Sequence, residues 1–323
     1  MINISEIMGN CGFSIIPAKL KSLYADSNEV YDWFSRIDFD EALNFYGLRN
    51  HKNFMALFSH FRDIIEQSIE LKAVVWTLNN YLFSAEHYGW EHFLERSVSD
   101  MLPAFILLSG YEKHQINMKK HDFDSNQEEK HKKRIFECCT IGLDTYHING
   151  VELSQLIWGS IFINAHIIEL GRLQFEIKKY KYDFQNFHFR DKFCIGIHIP
   201  RGHRLEYNEV EKSLQQAQKD ILNYFSELKA YPVYFLDSWL LSNDLDEFLL
   251  KGSNISLFRK RFDVLGYKTN SSISKFLFNT PSFNIQNYPE NTSLRRLVKN
   301  ALLSGHKFYD GIGILKSETA RKL

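Results

Sequence analysis

The stretch FCIGIHIPRGHRLEYNEVEKSLQQAQKDILNYF, residues 193–225, decides the fold. Its first seven residues alternate between apolar side chains and small or polar ones, which predicts a buried strand. Pro200 ends that strand because it cannot donate a ladder hydrogen bond. Apolar residues then recur every three or four positions, which predicts an amphipathic helix, and Asn208 with Glu211 has the form of a capping box at its start.

The loop between this strand and helix, IPRGHRLEYN, is a candidate phosphate site. Ligands of α/β folds tend to lie at the carboxyl ends of strands, and Arg201 and Arg204 are suited to phosphate oxygens. Gly202 allows a ligand to approach the backbone. Glu209 and Glu211 argue against an anion at the helix end, because they already complement the helix dipole. The residue types alone therefore leave an ordinary exposed loop as an open alternative.

Flanking segments extend the pattern into a mixed α/β region. GRLQFEI (171–177) alternates as a strand and forms a hairpin with the strand at 193–199. Residues 151–169 are predicted as a helix. Three further segments are predicted as strands: YPVYFLDSWLL (231–241), SKFLFN (274–279) and HKFYDGIGIL (306–315). Two are predicted as helices: SNISLFRKRF (253–262) and TSLRRLVKNALLSG (292–305).

The first 115 residues read as helical, with no alternating strand pattern. Residues 113–134 are polar and charged, so they mark a domain boundary unless a helix runs through them. A chain of 323 residues suits two domains. We therefore expect an α+β protein with a helical N-terminal domain over 1–135 and a mixed α/β domain over 136–323.

Composition and charge narrow the function classes. Acidic and basic residues balance at 39 each, which disfavours a nucleic-acid-binding protein. The four cysteines lack metal-site or redox spacing, and no histidine pair has metal-ligand spacing, so no metal site is predicted. No signal peptide and no apolar run of 18 residues is evident, so we expect a cytoplasmic protein without membrane partners. The oligomeric state stays open.

A few polar side chains are candidates for chemistry. His198 ends the sharpest strand and could act as a general base, although a hydrogen-bonded core histidine is the commoner case. Glu176 projects from a strand face, where it could bind a ligand or simply face water. Asp237 and Ser238 point to opposite faces of their predicted strand, and no GxSxG surrounds Ser238, which disfavours a hydrolase nucleophile.

Six short blocks in order make the sequence familiar: GRLQFE, HIPRGHRL, SLQQAQ, DSWLL, SNISLFRKRF and NTSLRRLV. Over about 170–315 the chain resembles bacterial acyltransferase-domain proteins, which join a helical N-terminal domain to a GNAT-like C-terminal domain. The resemblance implies an acyl-CoA cosubstrate, most often acetyl-CoA, and an acceptor amine on a small molecule or peptide. It also implies that the strands FCIGIHI and YPVYFLDSWLL splay apart to admit the pantetheine arm.

The resemblance assigns roles to particular residues. It places His198 or Glu176 as the base for direct amine attack on the thioester, and Ser238 as a donor to the oxyanion or thiolate. The residues expected at the cofactor are Ile199, Pro200, Arg201, Gly202, His203 and Arg204. The chain departs from the general GNAT loop in keeping only Gly202, and from the family in carrying Asp237 where a histidine is usual. A non-catalytic GNAT-like protein that binds CoA or another ligand is the alternative.

Overall fold

The computed structural model describes residues 50, 55, 110–146, 153–180, 183, 190, 192–228, 232–268, 271–280 and 284–316. The chain divides into two compact units, Met1–Ala165 and His166–Leu323. Apart from residues 50 and 55, the predicted helices before residue 110 lie outside the described residues.

The described part of the first unit consists of three helices: α1 (Tyr111–Lys120), α2 (Ser125–Tyr146) and α3 (Leu153–Ile163). The Asn117 amide donates to the Ile163 carbonyl at 3.1 Å, which joins α1 to the end of α3. His131 on α2 is buried, and its Nδ1 lies 3.2 Å from the Phe162 carbonyl. Helix α2 runs through the predicted boundary at 135/136, so the charged segment is helical and the division comes 30 residues later in the chain.

The second unit is built on a six-stranded sheet in the order β1-β2-β3-β4-β6-β5. The strands are β1 (Ile167–Leu170), β2 (Leu173–Lys179), β3 (Phe193–His198), β4 (Tyr234–Ser238), β5 (Phe262–Tyr267) and β6 (Gly311–Leu315). All neighbouring strands are antiparallel except β3 and β4, which are parallel. The crossover between β3 and β4 is helix α4, Tyr207–Tyr224. Two further helices, α5 (Asn254–Arg259) and α6 (Ser293–Leu303), come before β5 and β6.

Helix α4 closes one face of this sheet, and its apolar stripe packs on β1 and β2. That stripe is buried, as the three- and four-residue spacing predicts, and consists of Val210, Leu214, Ala217 and Ile221. Apolar side chains of β2 and β3 meet it from the sheet, among them Leu173, Phe175, Ile195 and Ile197. The core of the second unit therefore lies between α4 and one sheet face, which leaves the opposite face for polar groups.

The tight turn between β1 and β2 is docked on α4 through one hydroxyl. Ser213 Oγ accepts from the Arg172 N–H at 2.5 Å and from the Leu173 N–H at 3.2 Å. Gly171 has φ +61, and a Cβ built there would lie 2.6 Å from Ser213 Oγ. Glycine is therefore required at this position both for the backbone conformation and for the close approach of the helix.

Two predicted elements differ in the structure. Residues 151–169 do not form one helix, because α3 ends at Ile163, Ala165 adopts φ 52, and β1 begins at Ile167. All four residues of β1 are buried, so the strand has no polar alternation that would have distinguished it from a helix. The predicted strand SKFLFN is instead a π-helical turn, Ser274–Phe278, that ends at the left-handed Asn279.

The start of α4 and the strand β5 also differ from the predictions. Helix α4 begins at Tyr207 with Glu206 at the N-cap position, so the predicted capping box at Asn208 is wrong. Strand β5 was not predicted, since its edge position leaves half of it exposed and a bulge at Val264/Gly266 breaks its alternation. Helix α5 is capped by Ser253, whose side chain accepts from the Ser256 N–H at 3.3 Å. Among the described residues, no helix is long and apolar enough to cross a membrane.

Replacing Leu214 by Ala should destabilise the second unit by about 3 kcal/mol, since it leaves a cavity between α4 and the sheet. Leu214 is 1% exposed. The matched control is Leu222→Ala on the same helix, where the side chain is 40% exposed and the cost should stay under about 0.5 kcal/mol. Urea unfolding of the intact chain measures both; equal effects of the two variants would contradict this placement of the core.

Candidate active site

The sheet face opposite α4 carries a line of polar side chains. Gln174, Glu176 and Lys178 alternate along β2 with residues that face the helix. The antiparallel register places Gln174 opposite His198 and Glu176 opposite Gly196. Side chains of directly paired residues share a sheet face, so Glu176 and His198 lie together on the polar face. The structure therefore brings two of the three predicted catalytic residues into contact.

Glu176 is the hub of this group. Its Oε2 lies 2.7 Å from His198 Nε2 and 3.0 Å from Lys178 Nζ, and its side chain is only 13% exposed. Burial alone would raise the pKa of Glu176, but the Lys178 ammonium and the hydrogen bond from His198 outweigh burial and hold the pKa well below its ordinary value. Glu176 is therefore an ionised carboxylate that fixes the orientation of the His198 ring.

The Glu176–Lys178 pair fits because the neighbouring strand has no side chain at Gly196. A Cβ there would lie 3.0 Å from Lys178 Cε and 3.4 Å from Glu176 Oε2. Phe235 on β4 supports the same ammonium from the other side, with Lys178 Nζ 4.7 Å from the ring centroid. Neither the glycine nor the aromatic ring was singled out from the sequence, since their effect depends on cross-strand register.

The strands β3 and β4 are joined over a short ladder. Their paired residues are Ile195 with Tyr234 and Gly196 with Phe235, and the Ile195 N–H donates to the Val233 carbonyl at 2.9 Å. Beyond this point β4 pairs only with β6, over Leu236–Ser238, while β3 continues to His198. Pairing between the two parallel strands therefore stops before their carboxyl ends, in the strands for which splaying was predicted, and His198 ends β3 there. We refer to this unpaired part of the sheet as the opening between β3 and β4.

The remaining predicted catalytic residue, Ser238, is not brought to the Glu176–His198 pair. It alternates with Asp237 along β4 and projects to the α4 side of the sheet, and its Oγ accepts from the Leu240 N–H at 3.1 Å. Asp237, not Ser238, shares the polar face with Glu176 and His198. The Asp237 carboxylate forms an ion pair with Lys268, which follows β5.

The loop after β3 is the most exposed cationic part of this region. Arg201, Gly202, His203 and Arg204 are all exposed, whereas Ile199 and Pro200 are half-buried. Gly202 has φ +98, and a Cβ there would meet no atom within 4 Å, so the backbone is open on that side. The loop is not free to move as a whole, because Arg172 donates to the carbonyls of His203 and Arg204 at 2.6 and 2.9 Å.

The carboxylates expected to repel an anion at the start of α4 are neutralised. Glu211 accepts from Arg261 Nε at 2.7 Å, and the Arg261 guanidinium also lies over the Tyr207 ring, 4.3 Å from its centroid. Glu209 pairs with Lys212 at 2.8 Å. Because both carboxylates have cationic partners, they repel an anion near this helix end less than the sequence alone indicates.

Other chemistries find little support in the described residues. No group of three or more His, Cys, Asp or Glu side chains in these segments could hold a metal ion. Burial raises the pKa of the Cys194 thiol to about 12, so it stays protonated at neutral pH and is a poor nucleophile.

The comparisons with known proteins agree with this fold. Residues 167–315 match the family described as GNAT-like C-terminal domain, and this part of the chain is a GNAT-like domain. An acyltransferase solved in complex with decanoyl-CoA is similar at 20% identity, with 75% of this chain and 78% of that chain covered and a TM-score of 0.59. An acyltransferase with CoA and 10C-teicoplanin is similar at 19% identity, covering 77% and 80%, with a TM-score of 0.60. No match was found among curated proteins.

Replacing Glu176 by Gln should lower stability at pH 7 by roughly 1–3 kcal/mol, because Lys178 loses its charged partner. The depressed pKa means that this stabilisation is complete above the ordinary carboxyl value of 4.5 and is lost as the pH falls below it. The difference in free energy of unfolding between wild type and variant, measured with urea, should therefore be smaller at pH 4 than at pH 7. Glu227→Gln, at an exposed carboxylate of the same unit, is the control; a gap that is independent of pH would refute the ion-pair assignment.

Proposed function

We propose that this protein is an acyl-CoA-dependent acyltransferase that transfers the acyl group to an amine of a small molecule or peptide. The observation that carries the proposal is the opening between β3 and β4, with His198 at its edge and the cationic loop directly after it. Acyltransferases of the same fold solved with decanoyl-CoA and with CoA support an acyl-CoA cosubstrate.

The loop 199–204 is suited to the pyrophosphate of CoA. Arg201 and Arg204 offer exposed guanidinium groups, and Gly202 leaves the backbone open to close approach. The chain lacks the second glycine of the general GNAT loop, so the arginines carry more of the proposed phosphate contact than backbone amides do. The side chain of His203 is exposed beside them.

His198 is the proposed general base. Glu176 stays ionised with a depressed pKa, which makes it a weak proton acceptor and a strong partner for the imidazole. In the proposed step, the acceptor amine passes a proton to His198 as its nitrogen bonds to the thioester carbon. The C–S bond then breaks, and the CoA thiolate takes up the proton that the amine gave to His198, so that the products are the amide and the free thiol of CoA. Glu176 stabilises the imidazolium that forms, 2.7 Å away.

Ser238 is the proposed donor to the oxyanion or to the leaving thiolate. Its Oγ already accepts a backbone N–H, so the hydroxyl hydrogen remains available to donate. Its position at the carboxyl end of β4, beside the opening, supports this assignment. Its projection away from Glu176 and His198 means that it would act from the other side of the thioester.

The length of the acyl chain is part of the same proposal. The family resemblance favours acetyl-CoA, whereas the solved acyltransferases of this fold hold decanoyl-CoA or octanoyl-CoA. A panel of acetyl-, octanoyl- and decanoyl-CoA, each tested with primary amines, amino sugars and short peptides, separates these possibilities by the rate of free-thiol release.

Calorimetry with CoA tests the cofactor assignment. The double variant Arg201→Ala/Arg204→Ala should weaken CoA binding roughly 10- to 100-fold, since two phosphate contacts are lost. Lys219→Ala, which removes a single exposed charge from α4, is the control and should bind within two-fold of wild type. No binding of CoA to the wild type at millimolar concentration would rule out an acyl-CoA-dependent enzyme.

Steady-state kinetics tests the assignment of His198 as the general base. His198→Ala should lower kcat by about 10²- to 10⁴-fold with little change in the KM for acyl-CoA, the usual range for loss of a general base. His306→Asn, where Nε2 lies 3.5 Å from Asp244, is the control. An unchanged kcat in His198→Ala would remove the assignment. CoA binding by the wild type without transfer to any acceptor would favour a non-catalytic ligand-binding protein instead.

A further inference from the structure

Arg172 contacts the proposed cofactor loop although it lies elsewhere in the chain. It belongs to the turn between β1 and β2, more than 25 residues before the loop and outside its motif. Its Nη2 donates to the His203 carbonyl at 2.6 Å and its Nε to the Arg204 carbonyl at 2.9 Å. These two nitrogens lie on one edge of the guanidinium, so the planar fork grips two successive carbonyls at once.

The grip has a direct consequence for the amides of the loop. In a trans peptide the C=O and the N–H point in opposite directions. With the carbonyls of His203 and Arg204 turned toward Arg172, the N–H groups of Arg204 and Leu205 point away from it. No group in the part of the chain that the structure describes accepts a hydrogen bond from either N–H. Two amides are therefore presented together on the outer side of the loop.

The backbone of Arg172 is itself held in place by α4. Its own N–H donates to Ser213 Oγ at 2.5 Å, and Ser213 is buried on α4, the helix that follows the loop. The turn, the loop and the helix are thus connected through Arg172. Its backbone is held by the helix, and its side chain holds the loop that leads into that helix. These contacts fix the orientation of the peptide planes at 203–205 without a ligand.

We propose that Arg172 is a positioning residue for the cofactor, which holds the loop so that the Arg204 and Leu205 amides face the pyrophosphate of CoA. The inference rests on the proposed function, since it concerns the same loop. Arg172 lies on the carbonyl side, so it acts through the loop and not by contact with the phosphates. Its side chain thus holds in place a loop that lacks the second glycine of the general GNAT loop.

The test compares a probe that contains the pyrophosphate with one that lacks it. Arg172→Ala should raise the Kd for CoA roughly ten-fold in calorimetry, the equivalent of about 1.4 kcal/mol. Its response to octanoyl-pantetheine, followed as the shift in thermal unfolding on adding the compound, should match that of the wild type. Arg172→Lys, which keeps the charge but cannot fork onto two carbonyls, should lie between Ala and wild type.

The matched control is Arg296→Ala, which also removes an exposed guanidinium that donates to a backbone carbonyl, that of Glu290 at 2.8 Å. It should leave the Kd for CoA unchanged. An unchanged Kd in Arg172→Ala, equal weakening of CoA and octanoyl-pantetheine, or full affinity in Arg172→Lys would each overturn the positioning role. A wild type that fails to bind CoA is a separate result, and it overturns the proposed function together with this inference. If Arg172→Ala does not fold, Arg172→Gln takes its place under the same criteria.

Discussion

The contact on which the polar face depends is the pairing of one buried carboxylate with two donors. Glu176 cannot remain charged between β2 and β3 unless a cation compensates it, and Lys178 does so at 3.0 Å. With that charge in place, His198 has a fixed partner at 2.7 Å, and its ring is held at the edge of the opening between β3 and β4. Gly196 leaves room for this pair, since a Cβ there would lie 3.0 Å from Lys178 Cε and crowd the lysine side chain.

The two faces of the sheet differ in character: one packs against α4, and the other carries charged and polar side chains. Helix α4 covers one face with an apolar stripe and supplies Ser213 to fix the β1–β2 turn. The other face carries the ion pairs of Glu176 with Lys178 and of Asp237 with Lys268. This separation explains why an acidic and a basic side chain can alternate with apolar residues along β2 without disturbing the core. It also explains why Ser238, on the covered side, lies apart from Glu176 and His198.

Periodicity predicted the elements with strong alternation or strong helical spacing, and it did so for physical reasons. FCIGIHI and GRLQFEI place apolar side chains on one sheet face and small or polar ones on the other, and α4 has a buried apolar stripe beside an exposed side, so their patterns record two environments. Strand β1 has only four residues, three of them apolar, and β5 lies at an edge with a bulge, so neither carries such a record. His198 and Glu176 were found as single residues. Their partnership with Lys178 and the grip of Arg172 on the loop depend on register and on a helix docking between distant segments, which no local pattern contains.

The short ladder between β3 and β4 divides the sheet into two half-sheets, β1-β2-β3 and β4-β6-β5, which meet over only two residue pairs. Beyond Gly196 and Phe235, no pairing between these two strands occurs in the described residues. Under the proposed function, a ligand arm that carries its own amide groups would lie along this unpaired part as an added strand does, in the manner of β-augmentation. Such a ligand would be a structural member of the sheet as well as a substrate, and its departure after reaction would reopen the gap between the two half-sheets.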